Sequence, residues 1–124
     1  MTTPITNAVP LLRAALASAL SAYWLQAPIN TPRPYRVFQA QDGGGADTSF
    51  LNSAGWAGLY TIRAHADTQG EADAALANVP AAMQALSVAG YTVTATFVRA
   101  LVLPPLDGVW SAGLIYSIDL FRRG

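Results

Sequence analysis

His65, Asp67, Glu71 and Asp73 stand close together in the chain. One imidazole and three carboxylates are the donor types from which zinc and manganese sites are built. A plainer explanation covers all four: Thr68 and Glu71 have the spacing of a capping box, and acidic side chains belong in the first turn of a helix. The segment is therefore expected to be a strand end running into a capped helix, with no metal. Gly43-Gly44-Gly45 is the other string with chemical potential, since glycine-rich loops cradle phosphates with backbone N–H groups. No Gly-Lys-Ser/Thr follows it, and Asp42 and Asp47 flank it with the charge sign of the ligand it would need to hold. A flexible loop is expected. Gly-x-Ser-x-Gly is absent, and no serine stands at a motif spacing from the histidine. With no cysteine and one histidine, disulfides, thiolate metal sites and histidine-rich zinc sites are excluded. The chain predicts no catalysis and no cofactor.

Two groups of residues point to partners. Phe50 and Leu51 are apolar residues in a loop that is otherwise Gly, Asp, Thr, Ser and Asn. They either fold back on the subunit's own core or anchor a partner. The second reading makes 42–54 a docking loop, mobile in the free subunit and ordered on binding, with Asp42 and Asp47 as its charged members. Arg33, Arg36 and Arg63 either form a basic patch near the first hairpin or are ordinary solvated and salt-bridged arginines.

Composition sets the limits within which these residues act. The chain has 124 residues, 52% of them hydrophobic and 11% charged, with zero formal charge. That length suits one domain, 1–124. A binder held by phosphate contacts needs a basic excess, which is missing. Ordinary soluble domains are about 25% charged, so this surface is poorly supplied with charge and some of it is expected to meet protein. The uncharged stretch from Ala74 to Val98 is long enough to span a bilayer. It contains Asn78, Pro80, Gln84, Gly90 and alternating threonines, so it is expected to form a helix, a turn and a strand. No membrane contact and no signal peptide are predicted, and the chain is expected in the cytosol when made.

The elements that must position these residues follow from periodicity. Asn7 is a candidate cap for a helix running to about Gln26, with Val9, Leu12, Leu16, Leu20 and Tyr23 as its apolar stripe and Trp24 beside it. Ala27-Pro28 ends it. Residues 35–41 and 55–66 are strands. In the second, Trp56, Tyr60 and Ile62 face one way while Thr61, Arg63 and His65 face the other. A second helix from Thr68 to about Val88 carries Ala72, Leu76, Val79, Met83 and Leu86 in one stripe. Because the stripe keeps its phase through Pro80, one bent helix is expected there rather than two, with Gly90 as its stop. Two long strands, 91–103 and 109–121, are joined through Pro104-Pro105-Leu106-Asp107-Gly108 as a hairpin. In the last strand Trp110, Ala112, Leu114, Tyr116, Ile118 and Leu120 share one face. The order α-β-β-α-β-β predicts an α+β fold, a four-stranded, mainly antiparallel sheet with both helices on one face. Such a sheet has two edges and few charges to protect them, which closing into a ring would resolve.

Several strings in this order resemble the tail-terminator, or tail-completion, proteins of long-tailed bacteriophages. They are the N-terminal helix ending in an aromatic stretch, Pro34-Tyr35 opening the first strand, Arg63-Ala64-His65 closing the second, and Glu71-Ala72 opening the second helix. Asp107-Gly108 then precedes a final strand with Gly113-Leu114-Ile115-Tyr116-Ser117-Ile118. The similarity runs along nearly the whole chain. The chain departs from the family in having Pro80 within the second helix and a long glycine-rich loop.

The resemblance implies a structural virion protein and no enzyme: a ring, usually a homohexamer, at the head-proximal end of the tail. It would cap the tail tube, stop tube polymerisation, and offer a surface to the head-tail connector protein. DNA would pass through the lumen without specific binding, which suits the neutral charge. The partners implied are other copies of the chain, the tail tube protein and the connector, with assembly in the host cytoplasm. Two other readings remain: a neck or head-completion connector of the same kind of virion, and a small-molecule-binding α+β domain marked by a pocket with convergent polar groups.

Overall fold

The computed structural model describes residues 8–40, 55–88 and 90–122. These form a mixed α+β fold with element order α1 (Ala8–Leu20), β1 (Tyr23–Trp24), β2 (Tyr35–Ala40), β3 (Gly55–Ala66), α2 (Gln69–Ala75), α3 (Val79–Gln84), β4 (Tyr91–Leu106) and β5 (Val109–Arg122). The sheet has five strands in the order β1-β2-β3-β5-β4. All neighbours are antiparallel except β1 and β2, which are parallel. The helices cover one face. Leu12, Leu16 and Leu20 of α1 and Ala72, Leu76, Val79 and Met83 of α2 and α3 form one buried cluster with Phe38, Tyr60, Ile62, Tyr116, Ile118 and Leu120 of the sheet. The expected apolar faces of β3 and β5 thus hold wherever their side chains are described.

The fifth strand is a correction, and its cause is a helix stop. The apolar stripe continues in sequence to Tyr23, but α1 ends at Leu20 because Ser21 adopts a left-handed backbone, φ 50. The Ser21 N–H bonds Ser18 O, and the Ala22 N–H bonds Ala17 O. This is a Schellman arrangement that satisfies the last carbonyls of the helix, with serine where glycine is usual. The chain then leaves as β1 beside β2, with Tyr23 opposite Val37 and Trp24 opposite Phe38. Trp24 meets Phe38 edge to face at 5.2 Å, and the Arg13 guanidinium lies over the Trp24 ring at 4.1 Å. Asn7, the expected cap, lies outside the described residues.

Pro80 splits the second helix, contrary to the expectation of one bent helix. Without an N–H, Pro80 cannot continue a helical ladder to Leu76. The Leu76 carbonyl accepts instead from Val79, a turn forms over Leu76 to Asn78, and Pro80 falls in the first turn of α3. There its missing donor has no intrahelical partner to lose. The stripe keeps its phase across the break, and Ala72, Leu76, Val79, Met83 and Leu86 are all buried. Thr68 caps α2 by accepting from the Glu71 N–H at 3.1 Å. The return half of the box differs from expectation: the Glu71 carboxylate accepts from the Thr68 hydroxyl at 3.2 Å. Gly90, φ 84, does not end the helix, because α3 finishes at Gln84. It makes the tight turn in which the Tyr91 N–H bonds Val88 O at 3.0 Å.

The hairpin connection is also shorter than expected. Asp107 and Gly108 alone form it, both with positive φ, 52 and 77, the signature of a two-residue type I′ turn. Pro104 and Pro105 lie inside β4, within a register shift between Leu103 and Leu106. Prolines are tolerated there because β4 is an edge strand.

Candidate assembly surface

β4 carries sixteen residues, and among those described no strand pairs with its outer edge. Its only charged side chain is Arg99. Up to Phe97 its odd residues face the helices: Val93 and Ala95 pack on the core, and Phe97 meets Tyr116 edge to face at 5.7 Å. Burial of Tyr116 beneath this contact raises the pKa of its phenol. A bulge at Val98 then shifts the register, so that Phe97 stands opposite Tyr116 but Arg99 stands opposite Ile115. An extra residue reverses the faces of everything after it. Arg99 is thereby turned to the face without helices, and Ala100 and Val102 take the helix side.

The helices do not reach the far half of β4. Phe97 is 52% exposed, Val98 48%, Val102 76% and Leu106 75%. Between this strand and the helices lies an apolar groove of about 290 Å³, walled by Leu76 and Pro80 on one side and by Ala100, Val102 and Leu114 on the other. Asp73 is the one charged residue lining it.

The opposite sheet face is less polar than alternation implies. Thr61 and Ile115, paired across β3 and β5, are each 3% exposed, and Val37 is buried beside them. Gly113 lies in the next row, where a Cβ would stand 3.5 Å from both Arg63 Cγ and Leu101 Cδ1. The stem of Arg63 thus lies along the sheet, and its Nε is buried without a hydrogen-bond partner.

The three arginines proposed as a patch are not brought together. Arg33 donates to Asp67 Oδ1 in a 2.6 Å ion pair near the ends of β2 and β3. Arg36 reaches across the helix side to Asn78 Oδ1 at 2.6 Å and Ala75 O at 3.2 Å, and partial burial lowers its pKa. Val37, its neighbour, is the residue opposite Arg63, so Arg36 and Arg63 occupy opposite faces. A cleft of about 380 Å³ beside Arg36 is lined by Ser21, Pro34, Tyr35, Ala74 and Asn78. The docking residues Asp42, Asp47, Phe50 and Leu51 lie outside the described residues.

The acidic cluster likewise disperses. Asp67 is engaged by Arg33, Glu71 by Thr68, and His65 Nδ1 lies 2.8 Å from Ser111 Oγ. Among the described residues no three such groups converge on one point. The His65 and Ser111 pair is invisible to spacing rules because it is made across strands β3 and β5. Partial burial and the nearby Arg63 charge lower the His65 pKa, and Tyr35 stacks beside the ring at 5.2 Å. No helix among the described residues is long and apolar enough to cross a membrane.

The fold has a solved counterpart. A chain from the virion of a native gene transfer agent particle is similar over 97% of this chain and 99% of that one, with a TM-score of 0.64 and 16% identity. The bacteriophage SPP1 gp17 protein aligns over 97% of this chain and 89% of its own, with a TM-score of 0.49 and 20% identity. No protein-family model matches the chain, and no curated protein is significantly similar to it. At 16% identity the likeness to the gene transfer agent chain is one of fold, and it covers 97% of this chain.

What sequence reasoning missed is the row Phe97, Val98, Val102 and Leu106. The available signal was the break in alternation at Phe97-Val98-Arg99, where strict period two would have pointed a guanidinium at the helices.

Proposed function

We propose that the chain is a tail terminator: a virion protein that forms a ring of six copies, as in the family it resembles, caps the tail tube and halts its growth. The same ring offers its other side to the head-tail connector and lets DNA pass through its lumen. The role is one of assembly, not catalysis. One observation carries the reading, the end-to-end fold likeness to a chain of a gene transfer agent virion. The exposed apolar side chains of β4, Phe97, Val98, Val102 and Leu106, agree with it, because clustered apolar surface of this kind marks a site of protein contact. A cyclic arrangement of identical chains covers such surfaces without making endless fibres.

Native mass spectrometry of the chain, with and without tail tube protein, tests the ring. A closed oligomer is expected, with the tube available as a template. Addition of the chain to polymerising tube protein should shorten the tubes, as measured by electron microscopy. A persistent monomer in both samples together with unchanged tube lengths would remove the proposal.

A further inference from the structure

We infer that successive copies of this chain join head to tail, the Pro28-Ile29 projection of one copy seating in the groove between α2, α3 and β4 of the next. The inference rests on the ring proposed above and names the surfaces that meet. Ile29 is 92% exposed. It sits on the connector between β1 and β2, on a turn held by bonds from the Thr31 N–H and hydroxyl to Pro28 O at 3.1 and 2.6 Å. Tyr23 and Leu25 are exposed at the same end of the sheet. The apolar groove and the exposed Val102 and Leu106 are at the other end.

This placement decides the kind of contact. Strands succeed one another at about 4.8 Å, so the β1 and β4 ends lie roughly 15–20 Å apart and cannot meet within one chain. Two copies joined through β4 alone would leave the apolar β1 end uncovered in both. A head-to-tail contact covers both ends in every copy, and repetition by rotation closes a ring. Charge agrees, since the groove holds Asp73 while the β1 end holds Arg13, stacked on Trp24. The β1 edge pairs only two residues of β2, so the joint is a side-chain knob in a groove and not a continued sheet.

The chain has no cysteine, so introduced thiols report on the joint directly. The double variant Ile29→Cys with Val102→Cys, oxidised with copper phenanthroline in the presence of tail tube protein, should give a ladder of covalent multimers on a non-reducing gel. Each single variant should remain monomeric on the same gel. An intramolecular bridge is excluded because a disulfide tolerates a Cα separation of only about 7 Å. Both positions are exposed, so the substitutions leave the fold intact. As a second measure, Ile29→Asp should weaken self-association by at least about tenfold. Dimers from Val102→Cys alone would overturn the inference in favour of a symmetric β4 contact. A ring seen by native mass spectrometry without cross-links in the double variant would overturn it while leaving the terminator reading in place. Absence of any oligomer and of any effect on tubes would remove both.

Discussion

The Arg36 guanidinium lies 2.6 Å from Asn78 Oδ1 and 3.2 Å from the carbonyl oxygen of Ala75, tying the start of β2 to the break between α2 and α3. The break exposes carbonyls that a continuous helix would have used, and a charged donor from the sheet answers one of them. Arg36→Ala should therefore destabilise the fold by about 1–2 kcal/mol, and Asn78→Ala by less, because Ala75 O still holds the guanidinium. Urea denaturation of both variants and of the double variant measures the coupling. Strict additivity would show that the contact contributes nothing.

Pro80→Ala distinguishes a split helix from a bent one. At the second position of α3 the missing donor has no intrahelical role, so its restoration should change stability by less than about 1 kcal/mol, and that change should be a loss through greater freedom of the unfolded chain. In a continuous helix the same substitution would stabilise by about 3 kcal/mol. Thermal denaturation followed by circular dichroism separates the two outcomes.

Thr68→Ala should cost about 1 kcal/mol, since it removes the acceptor of the Glu71 N–H at the start of α2. Thr68→Asp should retain most of the stability, because a carboxylate serves the same N–H and favours the positive end of the helix. Equal losses in both variants, read from urea midpoints, would mean that the cap is not what the position contributes.

His65 makes stability depend on pH. Burial and Arg63 place its folded pKa below the usual 6.5, so the neutral imidazole is the form the fold prefers. The unfolded chain binds the proton first as pH falls. The stability contribution is therefore complete above pH 6.5 and declines as pH drops from there through the folded value. His65→Gln should flatten this part of the profile and leave assembly intact, as measured by urea midpoints between pH 7.5 and 5. A profile unchanged by the substitution would assign the slope to other groups.

Much of the architecture follows from local rules. The alternation in 55–66 and 109–121 placed Tyr60, Ile62, Tyr116 and Ile118 on the core face, and the helical spacing of Leu12, Leu16 and Leu20, and of Ala72 through Leu86, placed the helices over them. Asp107-Gly108 specified a hairpin turn, because few residue pairs accept two successive positive φ angles. These properties depend on residues a few positions apart, and the sequence by itself determines them.

The remaining features depend on which strand neighbours which. Ser21 can end α1 because β2 is present for Tyr23 and Trp24 to join. The Val98 bulge is favourable because it keeps Arg99 away from the helices while Phe97 stays on Tyr116. His65 meets Ser111, and Arg36 meets Asn78, across distances in sequence at which no spacing rule operates. The exposure of Ile29 at one end of the sheet and of Val102 at the other has the same origin. Either residue, read in sequence, is an ordinary apolar side chain. Only the strand order puts one on a projecting turn and the other beside a groove the helices do not cover, since burial is a property of the folded surface and not of the residue type.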